Sequence, residues 1–444
     1  MSTAQRPLSR WTSLAYGAGS IGTANFIVGP QLLLMFYMTE QLRIPAIYAG
    51  AVLLTVKTLE FFTAPAIGLW LDRRAMTSGR RRSYLSLSAV VFGLAYAGLY
   101  AAPNFEAWPS RLAFVLCVFV MATLVYSAFA VPYVALSGEL AAERADRTRL
   151  VAYRMAFAAV GILIAGGVAP WVVDVGGGDQ SAYALMGLSM AMLSAGTMLV
   201  SAIAVPLRPH GAPETTSTTL RTRTSFLGAV GTFHALQACY IIQMIASGAN
   251  GAMLAYYVKY VLRSNEGTIA VFFVIFTLLS ILAVPLSVML AARVGKWRAF
   301  LWSSILYGLG YAALLPAAQW GIGGFLTTAA LLGVAAGINQ VLAYALLPDA
   351  IDEDARARGT SSEGALTGTW IALEKVGLAA GAAGVGALID FAGYVEGQAK
   401  QPPEALLAIA ILFSIVPAVL VGISLIAARG GHIREILKAE GIRR

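Results

Sequence analysis

Twelve apolar runs, each long enough to form a membrane-crossing helix, govern what this chain of 444 residues can become. They lie at about 13–38, 46–71, 83–102, 110–137, 149–173, 182–206, 226–261, 267–292, 299–318, 321–347, 363–393 and 403–428. One crossing of the hydrocarbon core takes about 20 such residues. A bilayer supplies no water to satisfy exposed backbone groups, so each run must pair its own N–H and C=O groups as a helix. The longer runs imply tilt, or extension past the lipid, rather than additional spans. With 58% apolar and only 12% charged residues, the composition excludes a soluble globular domain and a disordered chain alike. Two cysteines, Cys117 and Cys239, each inside an apolar run, exclude a disulfide scaffold. The expected fold is an all-α membrane protein of twelve transmembrane helices.

A net charge of +9 would suit a nucleic-acid partner if the basic residues lined a soluble face. They do not. Of the 31 Lys and Arg, 23 sit in every second connection and in the two tails, five lie in the alternate connections, and three (Lys57, Arg154 and Lys375) lie in or near spans. Basic residues accumulate on the cytoplasmic side, so both termini are expected there, in a multi-pass protein of the cell (inner) membrane with no nucleic-acid partner. Arg6 and Arg10 lead into an apolar run too long for a signal-peptide core, so the first run is expected to remain as a span.

The chain divides into related halves. Residues 207–225 are polar, Pro-containing and Thr-rich between two apolar stretches, which reads as a cytoplasmic linker. It separates a six-helix bundle at 1–206 from a second at 226–428, with a basic cytoplasmic tail at 429–444. The halves echo one another. Pro65-x-x-Gly68-x-x-x-Asp72 followed by Gly79-Arg80-Arg81-Arg82 has its counterpart in Pro285 followed by Gly295-Lys296-Trp297-Arg298, while Pro132-Tyr133 and Pro348-Asp349 end the fourth and tenth spans. Two six-helix pseudo-repeats of this kind place a solute site near the midplane between the halves.

No G-x-x-x-x-G-K-[ST] loop occurs, so a phosphate-cradling ATP site is unsupported as the energy source. His210, His234 and His432 are scattered in linker, span and tail, with no metal-ligand spacing. The acidic run Asp352-Glu353-Asp354, beside Arg356 and Arg358, reads as a solvated, salt-bridging face. No nucleophile–base set falls on one side of the membrane. Neither an enzyme, a resident cofactor nor a metal is expected.

Several separated motifs, in order, resemble the glycoside–pentoside–hexuronide:cation symporter family of the major facilitator superfamily. Tyr16-Gly17-Ala18-Gly19 opens the first span, Pro65 to Asp72 and the basic Arg80, Arg81 and Arg82 close the second, and Pro132-Tyr133 to Glu139 closes the fourth, followed by Arg147 and Arg154. Asp349-Ala350-Ile351-Asp352-Glu353, then Glu363-Gly364, Glu374-Lys375-Val376-Gly377 and Gly393-Tyr394 follow in the second half. The resemblance spans nearly the whole chain. It implies the major facilitator fold and alternating access.

Charge inside the bilayer costs about 2.5–3.5 kcal/mol even on the lenient insertion scale, which concentrates function at such residues. Lys57 and Glu60 lie three apart on the second span, hence on one helix face where they neutralise each other. Glu60 stands about 14 residues from the outer end of its run, roughly 21 Å at the helical rise. In the resembled family its position is a cation-binding carboxylate; the alternative is an ion pair that only holds helices together. Where sodium-coupled relatives place a second carboxylate, this chain has Ala64, preceded by Thr63. One carboxylate with hydroxyls of Thr63 or Ser127 is a thin shell for Na⁺, so the co-transported ion is expected to be H⁺, with Na⁺ second. Lys375 matches the family's span-eleven lysine, able to hold a hydroxyl- or carboxylate-bearing solute or to pair with Glu60 across a central cavity; the alternative is snorkelling.

The resemblance also exposes gaps. The acids with which sugar-recognising relatives grip hydroxyls are replaced by Ala24 and Ala130, and the tryptophan after the span-four proline by Val134. Tyr16, Asn25, Tyr126, Tyr133 and Trp370 remain as candidate substrate contacts, with core packing as the alternative. Asp72, Arg80, Arg81, Arg82, Glu139, Arg147, Arg154 and Asp349 are placed for a cytoplasmic charge gate, or for loop stiffening. Gly377, Gly381, Gly384 and Gly386 read as helix packing. The function expected is cation-coupled secondary transport of a small glycoside- or sugar-like solute by a monomer in the lipid bilayer. A carrier or exporter of a less polar solute (amphiphile, lysolipid, peptide or drug) is the first alternative, and a non-transporting membrane sensor the second.

Overall fold

The computed structural model describes residues 9–75, 81–140, 144–205, 231–358 and 363–429. Among these there is no strand. The first six helices are α1 (Arg10–Glu40), α2 (Ala46–Ala75), α3 (Arg81–Leu99), α4 (Trp108–Leu140), α5 (Arg144–Leu163, continuing through a π turn at Ile164–Val168 into Ala169–Val175) and α6 (Gln180–Ala204). The next six are α7 (Gly231–Tyr256, with a π turn at Tyr257–Val261), α8 (Glu266–Leu282 and Val284–Val294), α9 (Lys296–Ala317), α10 (Gly321–Arg358), α11 (Glu363–Phe391) and α12 (Pro403–Phe413 and Ile415–Arg429).

Local chemistry fixes several of these boundaries. Ser9 caps α1 by accepting from Trp11 N–H at 3.2 Å, and Asp179 caps α6 by accepting from Ala182 N–H at 2.8 Å. The two segments of α8 bend by 43°, because Pro285 has no N–H to continue the ladder. Between α9 and α10 the chain stays helical up to Gly321, whose φ of 63° turns it in a conformation open chiefly to glycine.

Nine stretches among the described residues are long and apolar enough to cross a membrane, ten if bent α8 is one span. One of the nine, Lys296–Ala357, is 62 residues long; Gly321 divides it, so it supplies both α9 and α10. The 19-residue α3, with Arg81, Arg82 and three serines, is less apolar. Outward faces carry bare apolar side chains such as Leu94, Met192, Leu282, Leu309 and Ile426, a surface that suits lipid and not water.

The chain forms two compact units, one of Met1–Pro45 with Thr55–Thr215, the other of Ala46–Leu54 with Thr216–Arg444. In the first, α1 packs against α5 and α6, and α3 against α4 and α6; in the second, α7 packs against α11 and α12, and α9 against α10 and α12. The linker at 207–225 and the tail lie outside the described residues. Lipid tails match apolar side chains in polarity, so helix association relies on close packing and hydrogen bonds. A Cβ on Gly248 would fall 2.0 Å from Leu378 O, and one on Gly381 2.1 Å from Ile245 O, so α7 and α11 cross backbone to backbone. Gly377 faces the same helix, but Gly384 opens onto free space and takes no part in this packing. Polar glue appears in the second unit, where Gln243 Nε2 donates to Ser304 Oγ at 3.0 Å and Ser424 Oγ at 3.1 Å, and Asn339 Nδ2 to Ser304 Oγ at 2.6 Å.

Candidate transport site

Helix α2 presents Lys57 and Glu60 one turn apart, and Lys57 Nζ donates to Glu60 Oε2 at 2.9 Å. Lys57 is 8% and Glu60 3% exposed, so this is an ion pair at bilayer depth. The ammonium lies 5.8 Å from the Phe26 ring and 6.0 Å from the Phe119 ring, a cation–π geometry. Phe26 is braced edge-on by Phe92 and Tyr96 and lies 5.1 Å from the Tyr126 ring. Helices α1 and α4 of the first unit thus set aromatic rings beside the ammonium, with the α3 rings packed against Phe26. Ser127 is buried. Thr63 spends its proton on Leu59 O at 2.8 Å, leaving only lone pairs for any ligand.

The candidate substrate residues Tyr16, Asn25 and Tyr133 of the first unit are held by neighbouring helices of that unit. Tyr133 donates to Tyr16 O at 2.6 Å, Tyr16 donates to Tyr133 O at 3.3 Å, and the Ser20 hydroxyl lies 2.8 Å from Tyr133 Oη. Since the one Tyr133 proton goes to Tyr16, Ser20 is the donor to Tyr133. Asn25 is fully buried, its Oδ1 accepting from Tyr96 at 3.1 Å and its Nδ2 facing Met190 Sδ at 3.3 Å. A Cβ on Gly161 of α5 would sit 3.1 Å from the Ala24 Cβ and 2.4 Å from Ile21 O, so α1 and α5 cross closely beside Ala24.

In the second unit the structure assembles residues that the sequence did not single out together. Trp370 of α11 is fully buried and stacks on Tyr240 of α7 with ring centroids 4.4 Å apart. Tyr344 of α10 meets Trp370 edge-on at 6.2 Å and donates its hydroxyl to Glu374 Oε2 at 2.5 Å. Lys375, partly buried, lies within electrostatic reach of Glu374. Sequence reasoning named Trp370 and Lys375 as site residues and Glu374 only as part of the Glu374-Lys375-Val376-Gly377 motif, and it did not single out Tyr240 or Tyr344.

Of the gate candidates, Arg82 donates to Val205 O at 3.3 Å, sealing the end of α6. Arg154 is within electrostatic reach of Tyr133, and Asp349 accepts from Lys296 at 2.6 Å across two half-exposed side chains. Such a pair contributes about 0–1 kcal/mol. Arg80 and the side chains of Asp72, Arg81, Glu139 and Arg147 lie outside the described residues. The acidic run is not uniformly solvated: Asp352 is exposed and Glu353 accepts from Thr232 at 3.1 Å, but Asp354 is fully buried.

A family model described as MFS/sugar transport protein matches residues 15–428. The chain belongs to this family. It is therefore a multi-pass membrane transporter of the glycoside–pentoside–hexuronide group, moving a small sugar-like solute by secondary transport, and not an enzyme. Among its relatives are the inner membrane symporter YicJ of Escherichia coli strain K12, 25% identical over 95% of this chain and 91% of YicJ. The isoprimeverose transporter of Lactiplantibacillus pentosus is 24% identical over 89% of this chain and 82% of its own. The crystal structure of the nucleoside transporter NupG shares the fold, with a TM-score of 0.66 at 14% identity over 95% of this chain and 98% of that one. A bacterial homologue of the lysosomal transporter Spinster does so at 0.67 and 13%, over 94% of each chain.

Proposed function

We propose that this transporter moves a glycoside-like solute in symport with a proton, Glu60 being the coupling carboxylate. One observation carries the reading: a buried carboxylate is held at 2.9 Å by Lys57, with Ala64 in place of a second acid one turn on. Na⁺ requires several hard oxygens, whereas a proton requires one basic atom. When Glu60 takes up the proton, the ion pair loses its attraction, which gives the cation leverage over the helix that bears both. The relatives' printed names supply the solute class, a glycoside such as isoprimeverose. The basic side of the connections favours both termini in the cytoplasm, with the protein a monomer in the inner membrane. A less polar solute is the second reading, favoured because Tyr16, Tyr133 and Asn25 spend their polar atoms inside the first unit.

Proteoliposomes loaded against isoprimeverose and methyl glycosides, with a pH gradient or a Na⁺ gradient imposed, test this directly. The wild type accumulates solute under the pH gradient alone, and Glu60→Gln keeps equilibrium counterflow while losing accumulation. Full accumulation by Glu60→Gln, or a strict Na⁺ requirement, would overturn the proton assignment. A thermal-shift series with amphiphiles decides between the two solute readings.

A further inference from the structure

We infer that Glu374 and Tyr344 of the second unit form the hydroxyl-gripping subsite of this transporter, selecting an uncharged, polyhydroxylated solute. The inference deepens the glycoside reading above and rests on it. The acids that the family resemblance leads one to expect in the first half are replaced by Ala24 and Ala130. The acceptor for sugar hydroxyls must therefore come from elsewhere.

Glu374 has the required chemistry. A carboxylate offers about four lone-pair sites, and Tyr344 uses one, on Oε2. Tyr344 remains 39% exposed and Glu374 is partly exposed, so the hydrogen-bonded phenol and carboxylate keep a face open. Behind them the stacked Tyr240 and Trp370 fix the platform. Both lie within hydrogen-bonding reach of the Tyr344–Glu374 pair, so the Tyr240 hydroxyl and the Trp370 indole N–H support that pair from behind. A uronate bound here brings a second carboxylate against Glu374, and like charges at one site oppose each other. An uncharged glycoside is the solute that fits.

The test uses the full-length protein in proteoliposomes with p-nitrophenyl glucosides, galactosides and xylosides, and p-nitrophenyl glucuronide as the anionic counterpart. For the neutral glycoside that the wild type carries, Glu374→Gln raises KM about 10- to 100-fold, the loss of a hydrogen bond to a charged group, with Vmax little changed. Tyr344→Phe, which keeps the ring and removes only the donor, raises KM about threefold to tenfold. The glucuronide is carried less well than its neutral partner by the wild type, and Glu374→Gln narrows the difference. Unchanged KM in Glu374→Gln or, should that variant fail to reconstitute, in Tyr344→Phe overturns the subsite while leaving glycoside transport standing. A wild type that carries none of these glycosides but does carry an amphiphile overturns the parent reading and this inference with it.

Discussion

Lys57 and Glu60 stand one helical turn apart on α2, 2.9 Å from Nζ to Oε2, with both side chains almost wholly removed from solvent. Two charges buried this way stabilise only as a pair. Removing one partner of a buried ion pair costs about 3–5 kcal/mol, whereas replacing both with apolar groups of similar size is close to neutral. Lys57→Met and Glu60→Gln alone should each lower the thermal unfolding temperature in detergent, and Lys57→Met/Glu60→Met should regain most of the loss without regaining accumulation. Single variants as stable as the double would mean that the pair bears no mutual dependence.

Tyr16 and Tyr133 lock α1 to α4 by exchanging main-chain and hydroxyl bonds. Tyr133→Phe removes the donor to Tyr16 O and the acceptor for Ser20, so a fall in stability of about 1–3 kcal/mol is expected from the buried groups left unpaired. Solute KM should stay within about twofold if this tyrosine is a structural clasp, since tenfold would correspond to a lost contact of about 1.4 kcal/mol. Transport kinetics beside a denaturation curve on the same preparation would expose a substrate role, because KM would then move further than stability.

Backbone contact between α7 and α11 depends on glycine. Gly381→Ala would drive a methyl group into Ile245 O, an overpacking cost of about 1–3 kcal/mol. Gly384→Ala meets nothing and should gain about 0.5–1 kcal/mol from helix propensity. Monodisperse yield and unfolding temperature of the two variants should therefore move in opposite directions.

Asp179 caps α6, and hydrogen bonds from Ser181 and Ala182 hold its carboxyl below the usual value of 3.8. A depressed folded value means that the cap's contribution is complete above the unfolded value and is lost as pH falls through the folded one. Asp179→Ala should be less stable than wild type at neutral pH, with the gap closing below about pH 4. Asp179→Asn, which caps without a charge, should flatten that pH dependence. Unfolding temperatures recorded from pH 6 down to pH 3 would show whether the gap closes.

Run length, the basic asymmetry and the doubled motifs prescribed helices that cross a bilayer, because hydrocarbon permits no other way to satisfy a backbone. The Lys57–Glu60 pair was legible for the same reason, since spacing of three along a helix already decides that two side chains meet. Residues far apart in the chain were not legible. Tyr16, Asn25 and Tyr133 look identical in sequence whether they face a solute or one another, and only packing assigned their hydrogen bonds to neighbouring helices. Asp354 sits in an acidic run that reads as solvated, yet the fold buries it. Tyr240, Tyr344 and Glu374 come from three helices spread over more than a hundred residues of chain. Periodicity fixes the face of each helix, but the meeting of three faces depends on how closely the helices cross, which is set by glycines such as Gly248 and Gly381 where backbones touch.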